Sequence, residues 1–308
     1  MINDAQALLQ ENANVRSHIA DYVSLTKPEL TFLSVLTALC GFYLASDVLD
    51  LGSFVSVGIG TLLLGGGAGT LNQYIERNYD GMMRRTERRP LPSGRVKPVN
   101  ALRFGLVLSF MGIVILFVFS NVLTGLLGLL TIASYLLWYT PLKRISPHST
   151  LVGGIPGALP PLIGWSAASG TITAGGWILF FILFFWQMPH FLSLAWMYRK
   201  DYARAGYRML TVLDPDGGTT SLHILVHSVL LGGTSILLTF LGLTGSMYGI
   251  GAMILGVSFI GFSILFRWFA GTNTTLALTK TNQYSRYLFF ASLLYLPALM
   301  FLMVVDKL

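Results

Sequence analysis

Three oxygen-bearing side chains, Asn72, Glu76 and Asp80, recur at four-residue intervals within the stretch Leu71-Asn72-Gln73-Tyr74-Ile75-Glu76-Arg77-Asn78-Tyr79-Asp80. On a helix this spacing puts all three on one face, in a column that rises roughly 12 Å at about 1.5 Å per residue. Arginines follow at 77, 84, 85, 88, 89 and 95. Carboxylates and an amide carbonyl are ligands for a hard cation such as Mg²⁺, and guanidinium forks suit phosphate. The residues together fit a phosphate-bearing guest that brings Mg²⁺ with it. Basic residues gather at the cytoplasmic ends of membrane helices whatever a protein does, so the arginines alone prove little. The acids carry the argument, because a carboxylate beside a membrane span is costly and is kept for function.

A second constellation lies in Trp186-Gln187-Met188-Pro189-His190 and continues to Arg199-Lys200-Asp201-Tyr202. On one uninterrupted helix His190, Leu194, Met197 and Asp201 share a face, with Asp201 about 16 Å nearer the cytoplasm than His190. Asp201 is thereby a candidate partner for the column, and Pro189 should kink the span beside the histidine. An intramembrane histidine is either a core imidazole bonded to a neighbouring helix or a functional group. Gln187 one turn away favours function. Lys143, in Tyr139-Thr140-Pro141-Leu142-Lys143-Arg144, either snorkels to the membrane edge or touches diphosphate. His223 and His227 have ligand-pair spacing but no third ligand, which favours packing. The run from Gly153 to Trp165 mixes glycines that allow close helix approach with prolines that break regularity where a cavity is lined.

The elements that must hold these groups are membrane spans. The chain has 308 residues, 54% hydrophobic and only 11% charged, against about 25% charged in soluble domains. Apolar segments of spanning length fall near 29–47, 53–75, 101–120, 122–140, 149–168, 174–197, 222–243, 246–269 and 286–305. The expected fold is therefore an all-α integral membrane bundle of nine helices. Basic residues fall on one side of it, which predicts a cytoplasmic N-terminus and an external C-terminus. The expected organisation is a cytoplasmic N-terminal tail, 1–24, and a single transmembrane domain, 25–308, whose cytoplasmic loops 76–100 and 198–221 form an active-site mouth. The net charge of +7 is confined to loops and marks orientation, not nucleic-acid binding. Cys40 is the single cysteine, so an intramolecular disulfide and a thiolate metal site are excluded. The N-terminal stretch carries Asp4 and Glu11 without an apolar core, unlike a secretory or transit peptide. A bacterial inner membrane is expected.

A charged mouth below apolar walls suits a ligand with a diphosphate head and a hydrocarbon tail, such as an isoprenyl diphosphate. Mg²⁺ and arginines would stabilise the departing diphosphate, a dry interior would protect the allylic cation, and aromatic faces would steady it.

Asn72-x₃-Glu76-x₃-Asp80, followed by Arg84-Arg85-Thr86, Arg88-Arg89-Pro90, Pro92 and Gly94, resembles the first acidic motif of the intramembrane UbiA prenyltransferase superfamily. Further runs resemble, more narrowly, its heme O synthase (protoheme IX farnesyltransferase) branch. These are Tyr139-Thr140 with Leu142-Lys143-Arg144, Gly153-Gly154-Ile155-Pro156-Gly157-Ala158 through Trp165, and Trp186-Gln187-Met188-Pro189-His190-Phe191 with Asp201-Tyr202, Arg204-Ala205-Gly206 and Met209-Leu210. The resemblance spans about residue 25 to the C-terminus. It implies a nine-helix fold and transfer of the farnesyl group of farnesyl diphosphate to a vinyl group of heme B, with water trapping the resulting cation, to give heme O and diphosphate. It also implies Mg²⁺ held by Asn72, Glu76, Asp80 and Asp201, and diphosphate held by Arg84, Arg88 and Lys143. Arg77, Gln187, Tyr139, Arg204 and Trp165 complete the substrate-binding candidates, with His190 on the heme side. Membrane lipid surrounds such an enzyme, and a heme A synthase or terminal oxidase assembly is its expected neighbour. Two positions depart from the family pattern. Glu76 stands where Asp is commoner, and Ala205 follows Asp201 where quinone-type relatives carry a second acid, leaving the number of ions open. Two alternatives are a relative with an aromatic, quinone-precursor acceptor, and a membrane heme or lipid transporter. The lone Asp201 with His190 argues against the first, and the crowding of acids and arginines on one face against the second.

Overall fold

A computed structural model of the protein describes residues 18–272 and 274–308. Among these, nine helices are long and apolar enough to cross a membrane. They are α1 (Pro28–Ala45), α2 (Leu51–Asp80), α3 (Pro98–Phe119), α4 (Val122–Leu142), α5 (Ser149–Ser169), α6 (Ala174–Met197), α7 (Gly218–Phe240), α8 (Ser246–Phe269) and α9 (Thr275–Val305). Residues 18–25 form a further helical stretch ahead of α1, and residues 1–17 of the expected tail lie outside the described residues. No strand occurs among the described residues beyond an isolated bridge between Thr244 and Lys307.

Several boundaries differ from the apolar count for identifiable reasons. α2 starts at an Asp50 cap, whose carboxylate accepts from the Gly52 and Ser53 amides, and runs on to Asp80, so the whole oxygen column rides one helix. α9 begins at Thr275, where the Thr274 hydroxyl accepts from the Ala277 amide. Its first three turns are too polar for a hydropathy count, yet Leu, Ala, Lys and Gln are strong helix formers. α6 stops at Met197 and Tyr198 leaves helical geometry, at φ −104° and ψ 17°. Asp201 therefore does not continue the His190 face, as the uninterrupted-helix reading expected. It sits on a separate short helix, Arg199–Arg204. Pro189, by contrast, lies inside a helix assigned without a break from Ala174 to Met197.

α5 is built from two pieces, Ser149–Ala158 and Pro160–Ser169, meeting at Leu159. Glycines on both helices permit backbone contact between α5 and α1: a Cβ on Gly164 of α5 would collide with the Ala38 carbonyl, and one on Gly41 of α1 with the Pro161 carbonyl. α2 packs along α3, α6 against α7 and α9, and α8 between α7 and α9. The apolar centre includes Leu162, Ile163, Trp186, Trp196, Phe259 and Tyr295.

The two ends of the bundle are closed differently. At one end the Lys307 ammonium donates to the Tyr43 carbonyl at 2.7 Å and to the Ser46 carbonyl, satisfying the exposed carbonyls that end α1. Asp306 accepts from the Tyr248 amide at 2.6 Å. The other end, where α1 begins and α2, α4 and α6 finish, is held by ion pairs and stacked rings around the oxygen column.

Candidate active site

Asn72, Glu76 and Asp80 are 0%, 6% and 1% exposed, and each meets a different cation. The Lys27 ammonium donates to Asn72 Oδ1 at 2.7 Å. The Lys143 ammonium donates to Glu76 Oε1 at 2.8 Å. Arg89 Nη1 donates to Asp80 Oδ2 at 2.8 Å. Asn72 Nδ2 in turn donates to the Thr140 hydroxyl at 3.1 Å. Three segments, the lead-in to α1, the end of α4 and the loop after α2, thus deliver positive charge to one face of α2.

Local backbone features aim these cations. Lys27 has φ 49°, the one positive φ at a non-glycine among the described residues. Such a conformation is uncommon and strained for a residue with a Cβ. It sits immediately before Pro28, which opens α1. In α4, Ser134–Tyr139 form a π-helical turn, a rare device that rotates everything after it. The Thr140 hydroxyl and amide both return to the Tyr135 carbonyl. After this extra rotation Thr140 faces Asn72 and Lys143 reaches Glu76. The Lys143 ammonium also lies 4.5 Å from the centre of the Tyr139 ring.

The two lysines are held in different protonation regimes. Burial, reinforced by the nearby Arg89 and Lys143 charges, pulls the Lys27 ammonium down to about 7. Burial would lower Lys143 as well, but adjacent Glu76 more than offsets it and holds that ammonium well above the ordinary lysine range. Of the two lysines, Lys143 is thus held charged by its carboxylate partner, while Lys27 is shifted toward the neutral form.

The two long loops meet over the column. Tyr207 packs against Tyr79 with ring centres 6.1 Å apart and against Tyr202 at 5.8 Å. Arg85 donates to the Tyr202 hydroxyl at 3.1 Å and lies over the Tyr198 ring. The Arg208 amide donates to the Lys143 carbonyl at 3.0 Å, and the Arg144 guanidinium covers the Tyr79 ring at 4.3 Å. Met83, Ala195, Ala205 and Met209 fill the space beneath these rings.

The remaining candidates fall in several places. Arg77 turns back to the Tyr74 carbonyl at 2.6 Å and stacks on the Tyr74 ring. Arg84 and Arg88 are exposed on the loop. Asp201 pairs with Arg204 at 3.0 Å, and no three His, Cys, Asp or Glu side chains gather as a metal-holding group among the described residues. Asp201 thus stands apart from Glu76 and Asp80. Gln187 donates to the Gly154 and Leu183 carbonyls at 3.3 and 3.1 Å, bridging α6 to α5. Trp165 packs on Gly175 and Gly176 near Leu243, at the end of the bundle away from the column. His190 Nδ1 lies 2.7 Å from the Ser292 hydroxyl of α9, and its ring stacks between Trp186 and Phe289, 4.8 and 4.9 Å away. His223 and His227 stack on each other, and His227 Nδ1 meets the His223 carbonyl at 2.7 Å, the packing outcome.

Sequence reasoning missed Lys27, Arg89, Thr140 and Tyr207. In the sequence Lys27 is simply a basic residue ahead of the first span, and Arg89 is one arginine of six. The donor set itself fits Mg²⁺: two buried carboxylates and an amide carbonyl, all hard oxygens, on one helix face. Glu76 and Asp80 each give one oxygen to a cation already present.

A model of the UbiA prenyltransferase family matches residues 34–293. A protoheme IX farnesyltransferase of Solibacter usitatus (strain Ellin6076) is 43% identical over 297 residues, covering 93% of this chain and 98% of that protein. One of Salinibacter ruber (strain DSM 13855 / M31) is 45% identical over 287 residues, with coverage of 93% and 98%. Among solved structures, a digeranylgeranylglyceryl phosphate synthase shares the fold at a TM-score of 0.76 with 18% identity, over 94% of this chain and 99% of that one. A UbiA homolog from Archaeoglobus fulgidus bound to GPP and Mg²⁺ superposes at 0.65 with 14% identity, over 90% and 99%. With a family match over most of its length and full-length relatives above two-fifths identity, the chain belongs to the UbiA prenyltransferase family.

Proposed function

We infer that the protein transfers the farnesyl group of farnesyl diphosphate to a vinyl group of heme B, giving heme O and diphosphate. One observation carries the reading: a buried oxygen column on α2, each member matched by a cation from a different segment, in a chain whose relatives are named for farnesyl transfer to protoheme IX.

In this reading Asn72, Glu76 and Asp80 would hold Mg²⁺, with Asp201, paired here with Arg204, as the further acid the family resemblance implies. The ion would neutralise diphosphate charge and so ease departure of that group. Lys143, Arg89 and Lys27 lie beside the same oxygens and receive the diphosphate, with Arg84 and Arg88 closing over it from the loop. Their charges stabilise the leaving group as the carbon–oxygen bond to the farnesyl C1 breaks and its electron pair departs with diphosphate. The heme vinyl double bond supplies the electron pair for the new carbon–carbon bond. Water then adds to the cation left on the vinyl group and loses a proton. His190 serves the acceptor side: with Nδ1 against Ser292, Nε2 remains for the heme iron or for the attacking water. Loops 76–100 and 198–221 form the mouth, which faces the cytoplasm of a bacterial inner membrane. Separate titration of farnesyl diphosphate and heme B on the purified protein, with and without Mg²⁺, tests the assignment. Tight farnesyl diphosphate binding that persists in EDTA would refute the metal part.

A further inference from the structure

Tyr207 has no role in the scheme above, yet it is one of the most enclosed groups at the mouth. Its residue is 3% exposed, and its hydroxyl is buried with no hydrogen-bond partner among the described residues. A buried polar atom left unpaired is costly, and native structures retain few of them. The backbone inserts this ring deliberately. After the short helix Arg199–Arg204, Gly206 adopts φ +72°, a left-handed turn that suits glycine. The Tyr207 amide then closes on the Tyr202 carbonyl at 3.0 Å, and the next amide, Arg208, donates to the Lys143 carbonyl at 3.0 Å. Tyr207 is thereby pinned beside the residue whose ammonium holds Glu76. Its ring lies against Tyr79, the neighbour of Asp80.

We propose that the Tyr207 hydroxyl is a donor-binding group that hydrogen-bonds an oxygen of the bound diphosphate. The claim rests on the reading of the α2 column as a diphosphate site. Burial pushes the ionisation of this phenol up, and Glu76, Lys143 and Asp80, residues of that site, are among the charges acting on it. It stays protonated at neutral pH and offers a proton to an anion. Diphosphate oxygens are the acceptors that the ligand-free arrangement does not supply.

Tyr207→Phe removes the hydroxyl and keeps the ring between Tyr79 and Tyr202. The test measures binding of inorganic diphosphate with Mg²⁺, and of farnesyl diphosphate with Mg²⁺, to purified wild-type and Tyr207→Phe protein, alongside the ligand-free melting temperature. Loss of one hydrogen bond to a charged oxygen corresponds to about a tenfold or larger rise in Kd. The expected result is that rise for both ligands, with unchanged heme B affinity and a melting temperature equal to or above wild type. Unchanged diphosphate affinity in Tyr207→Phe, with wild type binding normally, would overturn this inference alone. A fall in ligand-free stability matching the loss of binding would also overturn it, by assigning the effect to packing. Wild type that fails to bind either diphosphate would overturn both the inference and the site reading beneath it.

Discussion

Arg89→Ala isolates what the Asp80 ion pair contributes. Asp80 is 1% exposed and its cation is a single guanidinium nitrogen at 2.8 Å. Removing one partner of a buried pair costs about 3–5 kcal/mol, because the other charge is left buried and alone. The Arg89 side chain is 28% exposed, and Lys27 also acts on Asp80's surroundings, so solvent screening brings the cost below that range, to about 2–3 kcal/mol. Arg88 is the control, since it is exposed and contributes its backbone carbonyl, to Arg95. Its replacement by alanine should stay within about 0.5 kcal/mol. Thermal unfolding of the detergent-purified variants without ligand should therefore show Arg89→Ala melting about 3–5 °C below Arg88→Ala. Saturating Mg²⁺ with inorganic diphosphate should narrow that gap, because the ion restores a positive partner to Asp80. Equal melting temperatures for the two variants, or a gap that Mg²⁺ and diphosphate leave unchanged, would refute the reasoning.

Other outcomes follow from the same geometry. Asp80→Ala should abolish turnover while the protein still inserts and accumulates in membranes, and EDTA should do the same to wild type; substantial turnover in either case counts against the metal site. Glu76→Asp should retain most activity, since it keeps the charge opposite Lys143, and a loss as complete as that of Asp80→Ala would contradict this. Arg84→Lys and Arg88→Lys should each weaken farnesyl diphosphate binding several-fold, because an ammonium cannot reproduce the guanidinium fork; normal binding by both would reduce that part of the loop to an orientation signal. His190→Ala should retain farnesyl diphosphate binding and lose heme B binding or heme O formation, and intact heme affinity with intact product yield would leave it as a core residue satisfied by Ser292.

The spans and the α2 column were legible because both depend on local patterns, a hydropathy run and a four-residue period on one helix. Pairing partners were not. Which of six arginines meets Asp80 depends on how the loop after α2 folds back, where the Thr86 hydroxyl bonds the Asp80 carbonyl at 2.7 Å and Arg89 follows one turn later. Lys27 reaches Asn72 across 45 residues from a left-handed backbone that no propensity favours. The α4 π-helical turn, which sets Thr140 and Lys143, leaves no period in an apolar stretch such as Ser134-Tyr135-Leu136-Leu137-Trp138-Tyr139. Asp201 lies off the His190 face because α6 ends at Met197 and the chain leaves helical geometry at Tyr198. The motif that contains Trp165 implies a place in the site, whereas the direction of α5 carries the ring to the far end of the bundle, against Gly175 and Gly176.

The most direct test of the central claim is mass spectrometry of hemes extracted from membranes that express this chain in a host lacking its own heme O synthesis. The membranes are supplied with heme B and Mg²⁺, with and without farnesyl diphosphate. Heme O, bearing a hydroxyethylfarnesyl group, is expected only when farnesyl diphosphate is present and only with Asp80 intact. Unmodified heme B under every condition, together with farnesylation of an aromatic acid offered in its place, would contradict it.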